Sequence, residues 1–151
     1  MNADLDSLLA IRAIEQNIIR FARAMDERDW HALETIMASD VVADLGTGLL
    51  HGPEAIVGLI RHFLDRCGTT QHLVGNILVT VSGDTATSRA YVHDSHLPAD
   101  EDPGEVYYTL GDYNDRWERK DGCWRMVERI KHNRANVGSL ERVFGLKDVN
   151  P

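Results

Sequence analysis

About halfway along the chain the spacing of its apolar residues changes, and few architectures accommodate the change. Before residue 67 apolar side chains recur three and four apart, the spacing of one helix face. From residue 70 they alternate in long runs joined by turn residues. Residues 5–25 carry Leu5, Leu8, Ile11, Ile14, Ile18, Phe21, Ala22 and Met25 at helical spacing. A short second helix follows from Asp29, whose carboxylate can cap it, and turns Trp30, Leu33, Ile36 and Met37 inward. Val41 to Leu45 reads as a short strand ended by Gly46-Thr47-Gly48. Residues 53–66 predict a third helix, with Pro53 at its first position and Gly68 just past its end.

The second half is rich in Thr, Val and Tyr. Residues 70–81 and 84–97 are split by Ser82-Gly83-Asp84, and residues 105–119 and 123–135 by Lys120-Asp121-Gly122, both hairpin signals. An acidic loop separates the pairs, and Leu140, Val143 and Phe144 mark one more short amphipathic piece. Helices first and hairpins afterwards predict an α+β fold: a curved, mostly antiparallel sheet wrapped around three N-terminal helices. Long strands coil, so such a sheet can enclose a pocket. The 151 residues are read as one domain, 1–151.

Charge narrows the function. Sixteen Lys and Arg stand against 24 Asp and Glu, a net charge of −8, which argues against nucleic acid and anionic membranes as partners. No apolar run is long enough to span a bilayer, and the N-terminus lacks the basic and apolar segments of a signal peptide. Cys67 and Cys123 stand alone and read as free thiols, so a cytoplasmic location is expected.

Several polar residues fall among apolar ones. Asp26 lies four residues after Ala22; on a continued helix it points along the apolar side, and if the helix has ended it is a solvated turn residue. His72 opens a strand whose alternation groups His72, Val74, Asn76 and Leu78 on one face and Leu73, Gly75, Ile77 and Val79 on the other. A carboxylate beside a histidine fixes its tautomer and supports it as a base. Asp94 and His96 share a strand face while His93 looks the other way, so this spacing does not suit a metal, and no metal site is expected. His51, His62 and His132 read as surface residues. Arg129 can clamp a substrate oxygen or pair with a carboxylate. Tyr91, Tyr107, Tyr108, Tyr113 and Asn114 are further candidates for a pocket lining, and periodicity does not choose among them.

Met-Asp-Glu-Arg-Asp-Trp at 25–30, His-Gly-Pro-Glu-Ala-Ile at 51–56, Thr-Gln-His-Leu-Val-Gly-Asn at 70–76 and Gly-Asp-Tyr-Asn-Asp-Arg-Trp at 111–117 together resemble the SnoaL-like branch of the NTF2-like superfamily. The resemblance runs from about residue 5 to 135 and implies a cone-shaped α+β fold around a deep pocket. Scytalone and bile-acid dehydratases and a hexachlorocyclohexane dehydrochlorinase share that cone, as do ketosteroid isomerase and the non-catalytic β subunits of ring-hydroxylating dioxygenases. The Asp–His dyad of the eliminating enzymes falls on Asp26 and His72. The dehydrochlorinase arginine falls on Arg129, and a second pocket histidine and an asparagine of scytalone dehydratase fall on His96 and near Asn114. Where the dehydratases carry tyrosines this chain has Phe21, Met25 and Leu45, so Phe21 is expected to line the pocket without supplying a phenol.

Two functions follow from the resemblance. One is a lyase or isomerase that needs no cofactor and acts on a small hydrophobic or polycyclic carbonyl compound, with His72 as base and Asp26 orienting it. The other is a non-catalytic cone that holds a ligand or a partner subunit. In either case a homodimer or higher homo-oligomer is expected.

Overall fold

The computed structural model describes residues 3–147. Its elements run α1 (Ala3–Glu27), α2 (Trp30–Ile36), β1 (Met37–Asp44), β2 (Leu49–His51), α3 (Pro53–Leu64), β3 (Thr70–Ser82), β4 (Thr85–His96), β5 (Tyr107–Lys120), β6 (Cys123–Val137) and α4 (Leu140–Phe144). The strands form one curved open sheet in the order β2-β1-β6-β5-β4-β3, antiparallel throughout except where β1 runs parallel to β6. The α+β expectation therefore holds, with α1, α2 and α3 preceding the long hairpins. No helix among the described residues is long and apolar enough to cross a membrane.

Local chemistry accounts for the joints. Lys120 pairs with Cys123 across a two-residue loop in which Asp121 and Gly122 have φ of 51° and 75°. Two positive φ values make the turn whose twist matches that of the flanking strands. Gly83, at φ 60° in the first position of the two-residue β3–β4 loop, makes the related hairpin turn that needs only one positive φ. Asp29 caps α2 by accepting from the Ala32 N–H at 3.0 Å, and Pro53 occupies the first turn of α3.

The core lies between the helices and the concave sheet face. Ile14, Ile18 and Phe21 of α1 meet Leu33, Ile56, Trp117 and Met126, all almost completely buried. Each such side chain contributes on the order of 1.5–3 kcal/mol of transfer free energy. Leu5 and Leu8, expected on the buried stripe, are instead exposed, because the packed stripe begins at Ala10.

Two further local expectations are corrected, and one short strand is added. Strand β3 carries a β-bulge: its register slips between Gly75 and Leu78, with Asn76 at φ 51°. Past the bulge Ile77, Val79 and Val81 pack on the core and Leu78 is exposed, the reverse of plain alternation from His72. Gly68 does not end α3 in a left-handed residue; a Cβ there would lie 2.6 Å from the carbonyl oxygen of Pro98, so the glycine permits a close approach of two loops. The three-residue β2, hydrogen-bonded to β1 beyond the Gly46–Gly48 turn, carries too little pattern to be read from sequence.

Candidate functional site

Helix α1 continues through Glu27, so Asp26 lies in its last turn and faces the start of β3. His72 Nδ1 stands 2.7 Å from Asp26 Oδ1, and the His72 backbone N–H donates to Oδ2 at 3.0 Å. The Thr70 hydroxyl also donates to Oδ1, at 2.9 Å. Burial pushes the Asp26 carboxyl up, but these hydrogen bonds from His72 and Thr70 outweigh it and hold the group below the usual carboxylate range. An ionised Asp26 only accepts, so Nδ1 carries the hydrogen and the free lone pair of the ring is on Nε2.

Arg28 supports this arrangement from behind. Just past α1, at φ 57°, it donates to the carbonyls of Met25, Leu64 and Gly68 at 2.9, 3.1 and 3.0 Å and to Thr70 Oγ1 at 2.9 Å. One guanidinium thus ties the ends of α1 and α3 to the start of β3. Because it fills a lone pair of Thr70, the one hydroxyl hydrogen is left for Asp26.

His72 lines a cavity of about 270 Å³ between the helices and the sheet. Phe21 and Met25 of α1, Leu59, Ile60 and Phe63 of α3, and Phe144 of α4 form its apolar wall. The opposite wall is polar and follows the ladder: His72 pairs with Asp94, Asp94 with Thr109, Thr70 with His96, and Tyr113 with Lys131. His96 and His72 meet edge to face, ring centroids 5.4 Å apart. Burial pushes His96 down to about 4 against the opposing pull of Asp94, so it is a neutral imidazole near pH 7. Burial likewise raises the Tyr113 phenol, which stays protonated. Asp94 accepts from the Thr109 N–H at 3.1 Å and from the Thr109 hydroxyl and the Lys131 ammonium. Burial pushes its carboxyl up, but the Lys131 charge and the Lys131 and Thr109 hydrogen bonds hold it low.

The structure therefore gathers Asp26, His72, His96, Tyr113 and Phe21 at the pocket or directly behind it. Tyr107 also lines it, but three candidate lining residues are elsewhere, among them Tyr108, whose ring lies against His93. Tyr91 is about half exposed and stacks under Arg134, because Ala90 and Val92 are the buried residues beside it on β4. Asn114 is exposed because Tyr113 and Asp115 take the inward positions on β5. Arg129 is fully buried but not on the pocket surface. It pairs with Asp115 through two hydrogen bonds of 2.8 and 2.7 Å and stacks on Phe21 and Tyr113. Of the two roles open to it in the sequence, this geometry is that of a carboxylate partner.

Lys131, Thr109, Thr70, Arg28 and Asn133 escaped the sequence reading. Lys131 and Asn133 lie two and four residues after Arg129, and Thr70 two before His72, so period two alone places them on the inward face. Nothing in the sequence marks Arg28, whose role depends on a left-handed backbone. Among the described residues no group of three or more His, Cys, Asp or Glu is placed to hold a metal ion, and Cys67 and Cys123 are both free.

A sequence profile of the SnoaL-like domain matches residues 6–130. The uncharacterized Mycobacterium tuberculosis protein Rv2910c is 25% identical over 122 residues, covering 78% of this chain and 81% of its own. The hexachlorocyclohexane dehydrochlorinase LinA-type3 of Novosphingobium barchaimii superposes with a TM-score of 0.79 at 22% identity, covering 99% of this chain and 100% of that one. A candidate scytalone dehydratase of Novosphingobium aromaticivorans gives 0.79 at 20% identity, over 96% and 97% of the two chains. At these identities the structural likeness shows the fold alone.

Proposed function

From the premise that the chain belongs to the SnoaL-like family, we propose that it is a lyase or isomerase acting on a small, largely apolar carbonyl compound without a cofactor, with His72 as general base and Asp26 as its orienting partner. The observation that carries this reading is the Asp26–His72 pair, 2.7 Å apart at the wall of a cavity whose facing wall is apolar. Asp26, held ionised, fixes the Nδ1–H tautomer and leaves Nε2 to take a proton from carbon. As that proton arrives, the same carboxylate stabilises the imidazolium that forms. The apolar wall of Phe21, Met25, Ile60 and Phe63 keeps water from competing for the base. Two proteins of like fold are named for a dehydrochlorination and a dehydration, both eliminations. That supports elimination over other uses of such a base.

The test needs no knowledge of the natural substrate. Exchange of the carbon-bound hydrogens next to the carbonyl of one- and two-ring ketones, followed in D2O by NMR, reports proton abstraction directly. The wild-type protein is expected to accelerate exchange, and Asp26→Asn and His72→Ala each to slow it by about 100-fold or more while remaining folded. Full-rate exchange in either variant refutes the dyad. Ketone binding with no exchange in the wild type points instead to a ligand-holding cone.

A further inference from the structure

The pocket holds a second ion pair that the dyad does not use. Asp94 and Lys131 are both largely shielded from solvent and both line the cavity. A buried ion pair contributes little net stability compared with well-packed apolar side chains, so its place in the pocket wall calls for another reason. Its hydrogen bonds are unevenly filled. Asp94 receives three, two from Thr109 and one from Lys131. Lys131 gives one to Asp94 and one, at 3.3 Å, to the Thr109 hydroxyl. An ammonium carries three N–H bonds, and the third has no protein partner among the described residues. Asp94 is the cross-strand neighbour of His72, so the ammonium it anchors sits on the same part of the wall as the base.

We infer that Lys131 binds a substrate oxygen through this third N–H, with Asp94 and Thr109 as positioning residues, and that the substrate is a one- or two-ring ketone. The inference rests on the reading of His72 as a base only for its catalytic consequence. The cavity has room for one or two rings: an engineered cavity of about 150 Å³ accepts benzene, and this one is about 270 Å³. Arg129, the other cation near the pocket, gives Nε and Nη2 to Asp115, and its remaining Nη1 is buried off the pocket surface.

The electron flow is then simple. His72 Nε2 takes the proton from the carbon next to the carbonyl. The C–H pair becomes a carbon–carbon double bond, and the carbonyl π pair moves to the oxygen, where the Lys131 N–H stabilises it. In an elimination the oxygen pair re-forms the carbonyl, the enolate double-bond pair moves between the α and β carbons, and the leaving group departs with the pair of its broken β bond and the proton held by His72. In an isomerisation His72 returns its proton to a different carbon.

Two compounds that differ by a carbonyl in place of a methylene test the assignment: 1-indanone and indane, compared by titration calorimetry, with the carbonyl stretch of bound indanone read by infrared spectroscopy. The wild type is expected to bind the ketone at least about tenfold tighter than the hydrocarbon, with the stretch lowered below its value in alkane. The double variant Asp94→Asn/Lys131→Met, which leaves no lone buried charge, is expected to bring the two affinities together and return the stretch toward the alkane value. Lys131→Arg should retain most of the preference. His72→Ala should retain it too, which separates failure of this inference from failure of the base. No binding of either compound to the wild type, equal affinities, or an unlowered stretch overturns the assignment. So does an unchanged preference in the folded double variant; if that variant does not fold, the wild-type stretch alone decides.

Discussion

His96 makes a quantitative demand on stability. Its imidazole is pushed from an ordinary value of 6.5 down to about 4, chiefly by burial. Phe144, Tyr107 and His72 surround it, with ring centroids 5.1, 6.2 and 5.4 Å away. Between those two values the unfolded chain takes up a proton that the folded chain refuses. The unfolded state therefore binds more protons, and stability falls as pH falls from about 6.5 toward 4. With RT near 0.59 kcal/mol, the two pKa values give a loss of about 2 kcal/mol between pH 7.5 and pH 5 from this residue alone. The assay is urea unfolding at both pH values of the wild type and of His96→Phe, which keeps a ring and cannot titrate. Groups common to both proteins and remote from position 96 cancel in the difference. The wild type should lose about 2 kcal/mol more than the variant on acidification. If the two lose the same to within about 0.5 kcal/mol, the imidazole is not held neutral by its burial and the reasoning fails.

Other outcomes follow from particular contacts. Asp115→Ala strands the buried Arg129 guanidinium and should cost about 3–5 kcal/mol in urea unfolding, whereas Asp115→Leu/Arg129→Met should stay within about 1 kcal/mol of wild type. A single-variant cost below about 1 kcal/mol would show that the pair is not desolvated as described. Gly138 has φ of 100°, and a Cβ there would meet the Val106 carbonyl and lie 2.9 Å from Tyr107 Cα. Gly138→Ala should therefore cost about 2 kcal/mol or more, a melting temperature lower by roughly 4–8 °C; an unshifted melt refutes the clash. We further propose that two copies pair through the exposed apolar side chains of the outer sheet face, among them Leu73, Leu78 and Leu110. Light scattering at micromolar concentration should give twice the 17.0 kDa chain mass, and a monomer mass refutes the pairing.

Elements were legible in the sequence wherever local chemistry alone decides them. Asp121-Gly122 requires two positive φ values and so announces its hairpin, and Asp29 and Pro53 mark helix starts without reference to the rest of the chain. Legibility failed where the answer depends on a partner far away. Asp26 was balanced between core and solvent because one extra helical turn decides it, and that turn is held by the sheet. Tyr91 and Asn114 were candidates because alternation says that neighbours oppose one another but not which of them faces in; the register across β4 and β5 settles that. Lys131 went unnoticed because a strand lysine ordinarily reads as a solvated group. Only Asp94, 37 residues earlier, explains why this one turns inward.

Asn76 acts on β3 as a half-cycle delay acts on a wave. Upstream of it the strand is in phase with the site, and His72 looks inward. Downstream it is in phase with the core, and Ile77, an odd number of residues later, looks inward as well. Two residues of β3 here oppose only Ala90 of β4, so the delay is one residue long. A chain that lost Asn76 altogether would return to regular alternation with every inward side chain still inward. A chain that kept the residue but straightened the backbone would turn Leu78, Thr80 and Ser82 toward the helices and Ile77, Val79 and Val81 toward water. At this point β3 tolerates the loss of a residue better than the loss of a kink.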